Sequence, residues 1–175
     1  MKKLIPGTTK PFKGPNPFEE FSNIIELTDG LSLGQICSLS GLDPSVIQNW
    51  VKRLYVAKPI KKKYYDKQVA RILLINSLKE AMRIEDIGKL LELVNGDVED
   101  ESDDLLSEAD LYNLFANSIY HLKNEDTHKA IEEAMPSKYK KNEKLFMALE
   151  VMVNAYLASE YKKLAKSHLK KLEEY

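Results

Sequence analysis

Four polar side chains recur at helical spacing in one short segment of the chain: Ser45, Gln48, Asn49 and Lys52. The residues between them are mostly apolar: Val46, Ile47, Trp50 and Val51. This pattern predicts a helix with one buried face and one polar face. A glutamine or asparagine amide can both donate to and accept from an adenine edge, whereas serine and lysine can bind phosphate. The polar face therefore has the chemistry of a helix that reads DNA bases in a major groove.

Basic residues are dense in the segment that follows this helix: Arg53, Lys58, Lys61, Lys62 and Lys63. The segment is predicted to form a small two-stranded wing, in which Pro59 permits only an edge strand. Lysines on such a hairpin would reach neighbouring phosphates, and Tyr64 could donate a hydrogen bond to another phosphate. If the protein neutralises about six phosphates, the slope of log affinity against log salt concentration should be about −5.

Two short helices are predicted to hold the polar face in place. Ser32 and Gln35 have the spacing of a capping box at the start of the first helix, and Gly41 provides the turn after it. Asp43 can cap the second helix, and Pro44 suits its first position. Two short helices joined by a tight glycine turn are typical of a helix-turn-helix.

The whole chain is predicted to be mostly α-helical, with a winged helix-turn-helix domain followed by a helical C-terminal domain. Residues 1–30 indicate an extended arm, rich in glycine and proline, and a short helix over residues 18–28. Residues 31–96 form the helix-turn-helix domain, and residues 97–106 an exposed acidic linker. Residues 107–175 form a helical dimerisation or effector domain, whose long last helix runs from Asn142 to about Leu172.

Charge is segregated along the chain, although the formal net charge is only −1. Residues 47–83 carry 10 basic and 2 acidic side chains, a net charge of +8. Residues 84–136 carry 3 basic and 15 acidic side chains, a net charge of −12. A compact cationic patch attracts polyanions whatever the overall charge. A run of charges is also consistent with a merely solvated surface. The separation of basic and acidic residues therefore favours a nucleic-acid partner but does not require one.

Several other classes of protein are disfavoured by the composition. Cys37 is the only cysteine, so the chain can form neither an internal disulfide nor a cysteine-based zinc site. We find no apolar run long enough for a membrane span and no signal segment, and we therefore predict a cytoplasmic protein. We also find no phosphate-binding glycine loop and no supported catalytic triad. We therefore predict that the protein is not an enzyme and binds no cofactor or metal.

Four stretches of the chain match one family in order: residues 32–36, 43–51, 64–72 and 84–91. Through them, residues 31–95 resemble the N-terminal domain of MerR-type transcription regulators, and within that superfamily an uncharacterised bacterial group that adds its own helical C-terminal half. The resemblance implies DNA binding as a dimer, with the family's DNA contacts at Gln48, Asn49, Lys52, Lys61, Lys62, Lys63, Tyr64 and Arg71. Gln48 and Asn49 replace the family's usual arginine and tyrosine, and Leu54 stands where a glycine is common.

These patterns together predict a sequence-specific regulator of transcription that binds double-stranded DNA as a homodimer through its C-terminal helices. The main alternative is a protein-interaction module that keeps the helix-turn-helix fold without reading DNA, because fold similarity alone does not establish function. If the basic side chains lie together on one face, DNA binding is favoured. If they are scattered over the surface, the protein-interaction module is favoured. An unknown effector could also bind the C-terminal half, where aromatic residues either line a pocket or form core.

Overall fold

Eight α-helices make up most of the computed structural model, which describes residues 4–96, 105–123 and 126–174. The helices are α1 (Phe18–Leu27), α2 (Leu33–Ser40), α3 (Pro44–Lys52), α4 (Asp66–Leu78), α5 (Ile84–Asn95), α6 (Glu108–His121), α7 (Thr127–Ala134) and α8 (Glu143–Leu172). One turn of 3₁₀ helix, Ser137–Tyr139, precedes α8. Within the described residues, β-structure is limited to isolated bridges. The prediction of a mostly helical fold is confirmed.

The α2–α3 pair begins and ends where local side-chain chemistry dictates. The Ser32 hydroxyl accepts from the Gln35 amide, and the Gln35 side chain accepts from the Ser32 amide at 2.8 Å, so the capping box is complete. Gly41 ends α2 with φ +72°, in the left-handed region that glycine adopts without strain. Pro44 begins α3 after Asp43, whose side chain makes no capping hydrogen bond.

Helix α4 lies at the centre of the molecule, in contact with α1, α2, α5, α6 and α8. Residues from Gln68 to Leu78 are buried on every side of this helix, apart from Asn76. A helix surrounded by other helices must be apolar all round, not along one stripe. Val69, Ala70, Ile72 and Leu73 give most of the helix this character, and Gln68, Arg71 and Ser77 are its buried polar exceptions.

The two predicted halves of the chain share one hydrophobic core. Leu111 and Phe115 of α6 are fully buried in the same cluster as Ile72 and Leu73 of α4. The segregation of charge in the sequence therefore does not coincide with a break between two cores. Leu106, at the end of the predicted acidic linker, is itself buried, and residues 97–104 of that linker lie outside the described residues.

The proline- and glycine-rich arm is packed against both halves of the molecule. The Tyr112 hydroxyl of α6 donates to the Pro6 carbonyl at 2.6 Å, and the Asn76 amide of α4 donates to the Gly7 carbonyl at 2.9 Å. The Thr9 amide donates to the Leu39 carbonyl at 2.9 Å. These bonds satisfy backbone groups that regular secondary structure would otherwise pair. The arm is not extended as predicted, because Leu4 and Pro11 form an antiparallel bridge and the chain folds back on itself between them. It forms a fixed wall of the fold.

Helix α8 follows Asn142, whose side chain accepts from the Leu145 amide at 2.9 Å, and it ends at Leu172 as predicted. Its first half is buried against the other helices, through Leu149, Met152 and Val153. Residues 161–174 are all exposed. In the ranges that the structure describes, neither α8 nor any other helix is long and apolar enough to cross a membrane.

Candidate nucleic-acid interface

The polar face of α3 is turned toward solvent. Ile47 and Trp50 are buried in the core, which fixes the rotation of the helix about its axis. The opposite face carries four exposed polar side chains: Ser45, Gln48, Asn49 and Lys52. Within the described part of the chain, no protein hydrogen bond or ion pair engages the side chains of Gln48, Asn49 or Lys52. Their donors and acceptors are therefore available to a ligand.

A two-residue hairpin turn projects beyond α3. The backbone amides of Ile60 and Lys63 donate to each other's carbonyls, each at 2.9 Å. Lys61 and Lys62 form the tip with φ +49° and +66°, both in the left-handed region. Such a turn matches the right-handed twist of the flanking chain, but it usually contains asparagine or glycine at these positions. The side chains of Lys61 and Lys62 are exposed, as is that of Lys58 in the segment leading to the turn.

The base of the hairpin is attached to the core. Leu31 and Tyr64 exchange two backbone hydrogen bonds of 2.9 Å. The Lys63 ammonium donates to the carbonyls of Thr28 at 3.3 Å and Gly30 at 3.1 Å, so it is directed at the end of α1. Lys63 therefore secures the hairpin, and a role at a phosphate would require these two bonds to break.

Tyr64, predicted as a phosphate contact, is buried. Its side chain is only 4% exposed, and burial, with a smaller contribution from Cys37, raises the pKa of its phenol. Since most of the side chain forms part of the core, it presents little surface to a phosphate. Tyr64 is therefore a poorer phosphate contact than the sequence predicts, and it has a core role that the sequence pattern did not indicate.

Arg71, predicted from the resemblance as a DNA contact, is also buried. It lies in the central helix α4, and its guanidinium forms an ion pair with Glu108 at the start of α6. Both side chains are 2% exposed. The Arg71 Nε group also donates to the Tyr55 carbonyl at 2.8 Å, just after α3. Arg71 thus joins α6 to the segment that follows α3 and is removed from the candidate DNA surface.

Arg53 is exposed but already has a partner. Its guanidinium donates to Glu85 of α5 at 2.8 Å and to the Tyr55 hydroxyl at 3.2 Å, and it lies over the Tyr55 ring. The backbone amide of Glu85 and the Arg53 guanidinium lower the pKa of the Glu85 carboxyl, so this carboxylate offsets the arginine's charge. Arg53 is therefore a weaker phosphate contact than the sequence predicts.

Seven of the eleven predicted contacts remain as an exposed set without an internal partner or a core role: Ser45, Gln48, Asn49, Lys52, Lys58, Lys61 and Lys62. We call them the α3–hairpin surface. It contains four lysines, and none of them has a carboxylate within salt-bridge distance among the described residues. Four phosphate contacts lower the expected salt slope from about −5 to about −3.6 per protomer.

The aromatic residues that could have lined an effector pocket in the C-terminal half do not form one set, since Tyr120 and Tyr161 are exposed. Tyr112, Phe115 and Tyr156, which could have lined an effector pocket, are buried in the core and contact other rings. Within the described residues, no group of three histidine, cysteine or acidic side chains could hold a metal ion.

Comparison with known proteins places this arrangement in a family. Residues 21–115, more than half of the chain, match the family described as "Domain of unknown function (DUF1836)". The chain belongs to this family. Its match begins in α1 and ends in α6, so it includes the α3–hairpin surface and both members of the Arg71–Glu108 pair. The family unit therefore extends across the predicted boundary at residues 97–106.

One curated relative is similar to part of the chain. The chain is 32% identical over 101 residues to the "Uncharacterized protein YkrK" of Bacillus subtilis (strain 168). The similarity covers 55% of this chain and 43% of the relative, so the match spans less than half of the relative's length. No solved structure matches the chain.

Proposed function

We propose that the protein is a sequence-specific regulator of transcription that binds double-stranded DNA, with α2 and α3 as a MerR-like helix-turn-helix and the 60–63 hairpin as a short wing. The observation that carries this proposal is the α3–hairpin surface, where an exposed Gln-Asn pair on a short helix adjoins a lysine-tipped turn. A DNA interface has two components: polar groups that specify bases, and cations that bind phosphates.

The residues of the α3–hairpin surface have different proposed roles, which follow from their side-chain chemistry. Gln48 and Asn49 lie on the outer face of α3, where each amide could bind the N6 and N7 edge of an adenine. Ser45 and Lys52, one turn away on either side, would bind phosphates or flanking base edges. Lys61 and Lys62 would bind the backbone beside the groove, because the hairpin holds their ammonium groups away from the core.

The proposed homodimer uses the exposed end of α8. Over residues 161–172 one side of this helix is apolar or aromatic: Tyr161, Leu164, Ala165, His168, Leu169 and Leu172. Leu164, Leu169 and Leu172 are 50, 58 and 68% exposed. Lys162 still contacts Glu80, so the part that extends beyond these contacts is residues 164–172. About two and a half turns of exposed helix are marginally stable in water, whereas pairing with a second copy would bury the apolar stripe. A symmetric dimer would then present two α3 helices to two half-sites.

A protein-interaction module is the second candidate, and two observations favour it. Arg71 is inside the core, and Arg53 is paired with Glu85, so the cationic surface is smaller than the charge of residues 47–83 suggests. The exposed stripe of α8 would then bind another protein. The two candidates differ in whether the α3–hairpin surface binds a duplex.

The test is a fluorescence-anisotropy titration of duplexes recovered by selection from a randomised pool, with a scrambled duplex as reference, at two salt concentrations. We expect preferential binding of the selected duplex and a salt slope of about −3.6 per protomer. Gln48→Ala should abolish the preference with little change in slope. Lys62→Asn keeps a residue that tolerates left-handed backbone and should reduce the slope by about one unit.

Lys166→Ala is the matched control, since Lys166 is an exposed lysine on α8 and belongs to neither the proposed helix-turn-helix nor the hairpin. It should bind as the wild type does. Failure to select any duplex, or equal binding of selected and scrambled duplexes by the wild type at low salt, would overturn the DNA proposal in favour of the interaction module.

A further inference from the structure

A cavity lies between the arm, α1 and the start of α2, away from the α3–hairpin surface. Its volume is about 680 Å³, within the range of about 300–1,000 Å³ that small-molecule sites occupy. Phe21, Leu31 and Leu39 form a buried apolar floor, and Ile24 forms a partly exposed wall. The shape and lining therefore suit the apolar part of a small ligand.

The walls of the cavity are held in place by hydrogen bonds on both sides. The Thr9 amide and hydroxyl donate to the Leu39 and Ser38 carbonyls at 2.9 and 3.2 Å, which fixes the arm beside α2. Leu31 is fixed by its two hydrogen bonds to Tyr64. A cavity with such walls exists before the ligand arrives, so binding requires little ordering of the protein.

Most polar groups around the cavity already have partners. Lys13 forms an ion pair of 2.7 Å with Glu20, so these two charges offset each other. The Ser32 and Gln35 side chains cap α2, and the Ser38 hydroxyl donates to the Gly34 carbonyl at 3.0 Å. Lys10 differs, because its exposed ammonium has no partner among the described residues.

We propose that this cavity binds a small apolar carboxylic acid, with its hydrocarbon part on Phe21, Leu31 and Leu39 and its carboxylate at the Lys10 ammonium. An apolar floor with one uncompensated cation at its mouth complements a molecule that has an apolar body and a single negative charge. A neutral or cationic ligand of the same shape lacks that complement. The proposal is independent of DNA binding.

The charge requirement is tested by calorimetric titration of the full chain with octanoate, 1-octanol and octylammonium below their micelle-forming concentrations. Octanoate should bind in a 1:1 saturable manner and more tightly than the other two. Lys10→Ala should weaken octanoate binding about threefold, the amount expected for one exposed charge pair, and leave 1-octanol binding unchanged. Lys166→Ala, which removes an exposed lysine from α8, should have no effect.

The location is tested by Gly34→Leu. Gly34 lines the cavity, and a Cβ atom added there would meet no other atom within 4 Å. Leucine is also a better helix former, so the variant should fold. Its side chain should occupy part of the cavity beside the apolar floor and weaken octanoate binding at least tenfold. The proposal is overturned if octanoate does not bind saturably, if octylammonium or 1-octanol binds as tightly, or if Gly34→Leu binds octanoate like the wild type.

Discussion

Two consecutive lysines at the tip of the 60–63 hairpin have left-handed backbone conformations, with φ +49° at Lys61 and +66° at Lys62. A residue with a Cβ atom pays about 1–2 kcal/mol for this conformation, which glycine adopts freely. Strained backbone persists where the surrounding structure or the function requires that side chain. Under the proposed function, the requirement is a cation that the hairpin projects toward a phosphate.

Lys62→Gly should therefore change stability and DNA binding in opposite directions. The free energy of unfolding should rise by about 0.5–1 kcal/mol, because the relief of strain exceeds the extra entropy that glycine has in the unfolded chain. Affinity for the selected duplex should fall, and the salt slope should decrease by about one unit. Urea denaturation and anisotropy measure the two effects.

Leu54→Gly supplies the matched control. Leu54 has φ +61° and is exposed. The substitution should give a similar gain in stability and leave DNA affinity unchanged, since leucine offers a phosphate no charge. If the Lys62→Gly protein binds DNA as tightly as the wild type, Lys62 does not bind a phosphate.

At the scale of elements, the central helix α4 contains one charged group that points into the core. Arg71 pairs with Glu108 of α6 and also donates to the Tyr55 carbonyl after α3. The pair thus connects three parts of the fold: the central helix, the start of α6 and the segment between α3 and the hairpin. Such buried pairs are costly to break from one side, because the remaining charge stays buried without compensation.

Arg71→Met should lower the free energy of unfolding by about 3–5 kcal/mol, and Glu108→Met should do the same. The double variant should lose much less than the sum of the two, because neither charge is then left alone in the core. Urea denaturation of all four proteins measures this coupling. If the losses of unfolding free energy are small and additive, the Arg71–Glu108 pair does not stabilise the core. Arg71 would then again be a candidate surface contact for DNA.

Local signals in the sequence predicted the elements well, because helix ends depend on neighbouring residues. The capping box of Ser32 and Gln35, the turn at Gly41 and the start of α8 after Asn142 all follow from such signals. The environment of Arg71 could not be predicted, since its partner is 37 residues away along the chain. The apolar residues around Arg71 on every side of α4 were the one feature of the sequence that indicated its burial.

The candidate surface was predicted in part for the same reason. The rotation of α3 follows from the apolar positions of Ile47 and Trp50, so the exposure of Gln48 and Asn49 was predictable. The hydrogen bonds of Lys63 to the carbonyls of Thr28 and Gly30 depend on how the hairpin meets α1, which no local pattern specifies. Propensity likewise did not reveal that the arm closes a cavity.

At the scale of the whole molecule, one continuous core joins the α3–hairpin surface to the helices that carry α8. A dimer formed by α8 would therefore fix the separation of two α3 helices through packed structure. The exposed stripe at residues 161–172 is the part of the described chain that supports such pairing.

A double Leu164→Glu, Leu169→Glu variant should convert a dimer into a monomer of 20.0 kDa whose core helices remain folded, because charges on the stripe oppose its burial. Light scattering after gel filtration measures the mass. Lys163→Glu, Lys166→Glu introduces the same residues on the opposite side of the helix and should remain a dimer. A monomeric wild type at micromolar concentration would contradict pairing through α8.

The most direct measurement of the central claim is the affinity of wild type and Gln48→Ala for the selected duplex and for the same duplex with individual adenines replaced by 7-deazaadenine. The analogue lacks the N7 acceptor and retains base pairing. If Gln48 reads an adenine edge, one replacement should weaken wild-type binding by about 1 kcal/mol or more and leave Gln48→Ala unaffected. Equal losses in both proteins at every adenine, or no loss in either, would contradict base reading by Gln48 of α3.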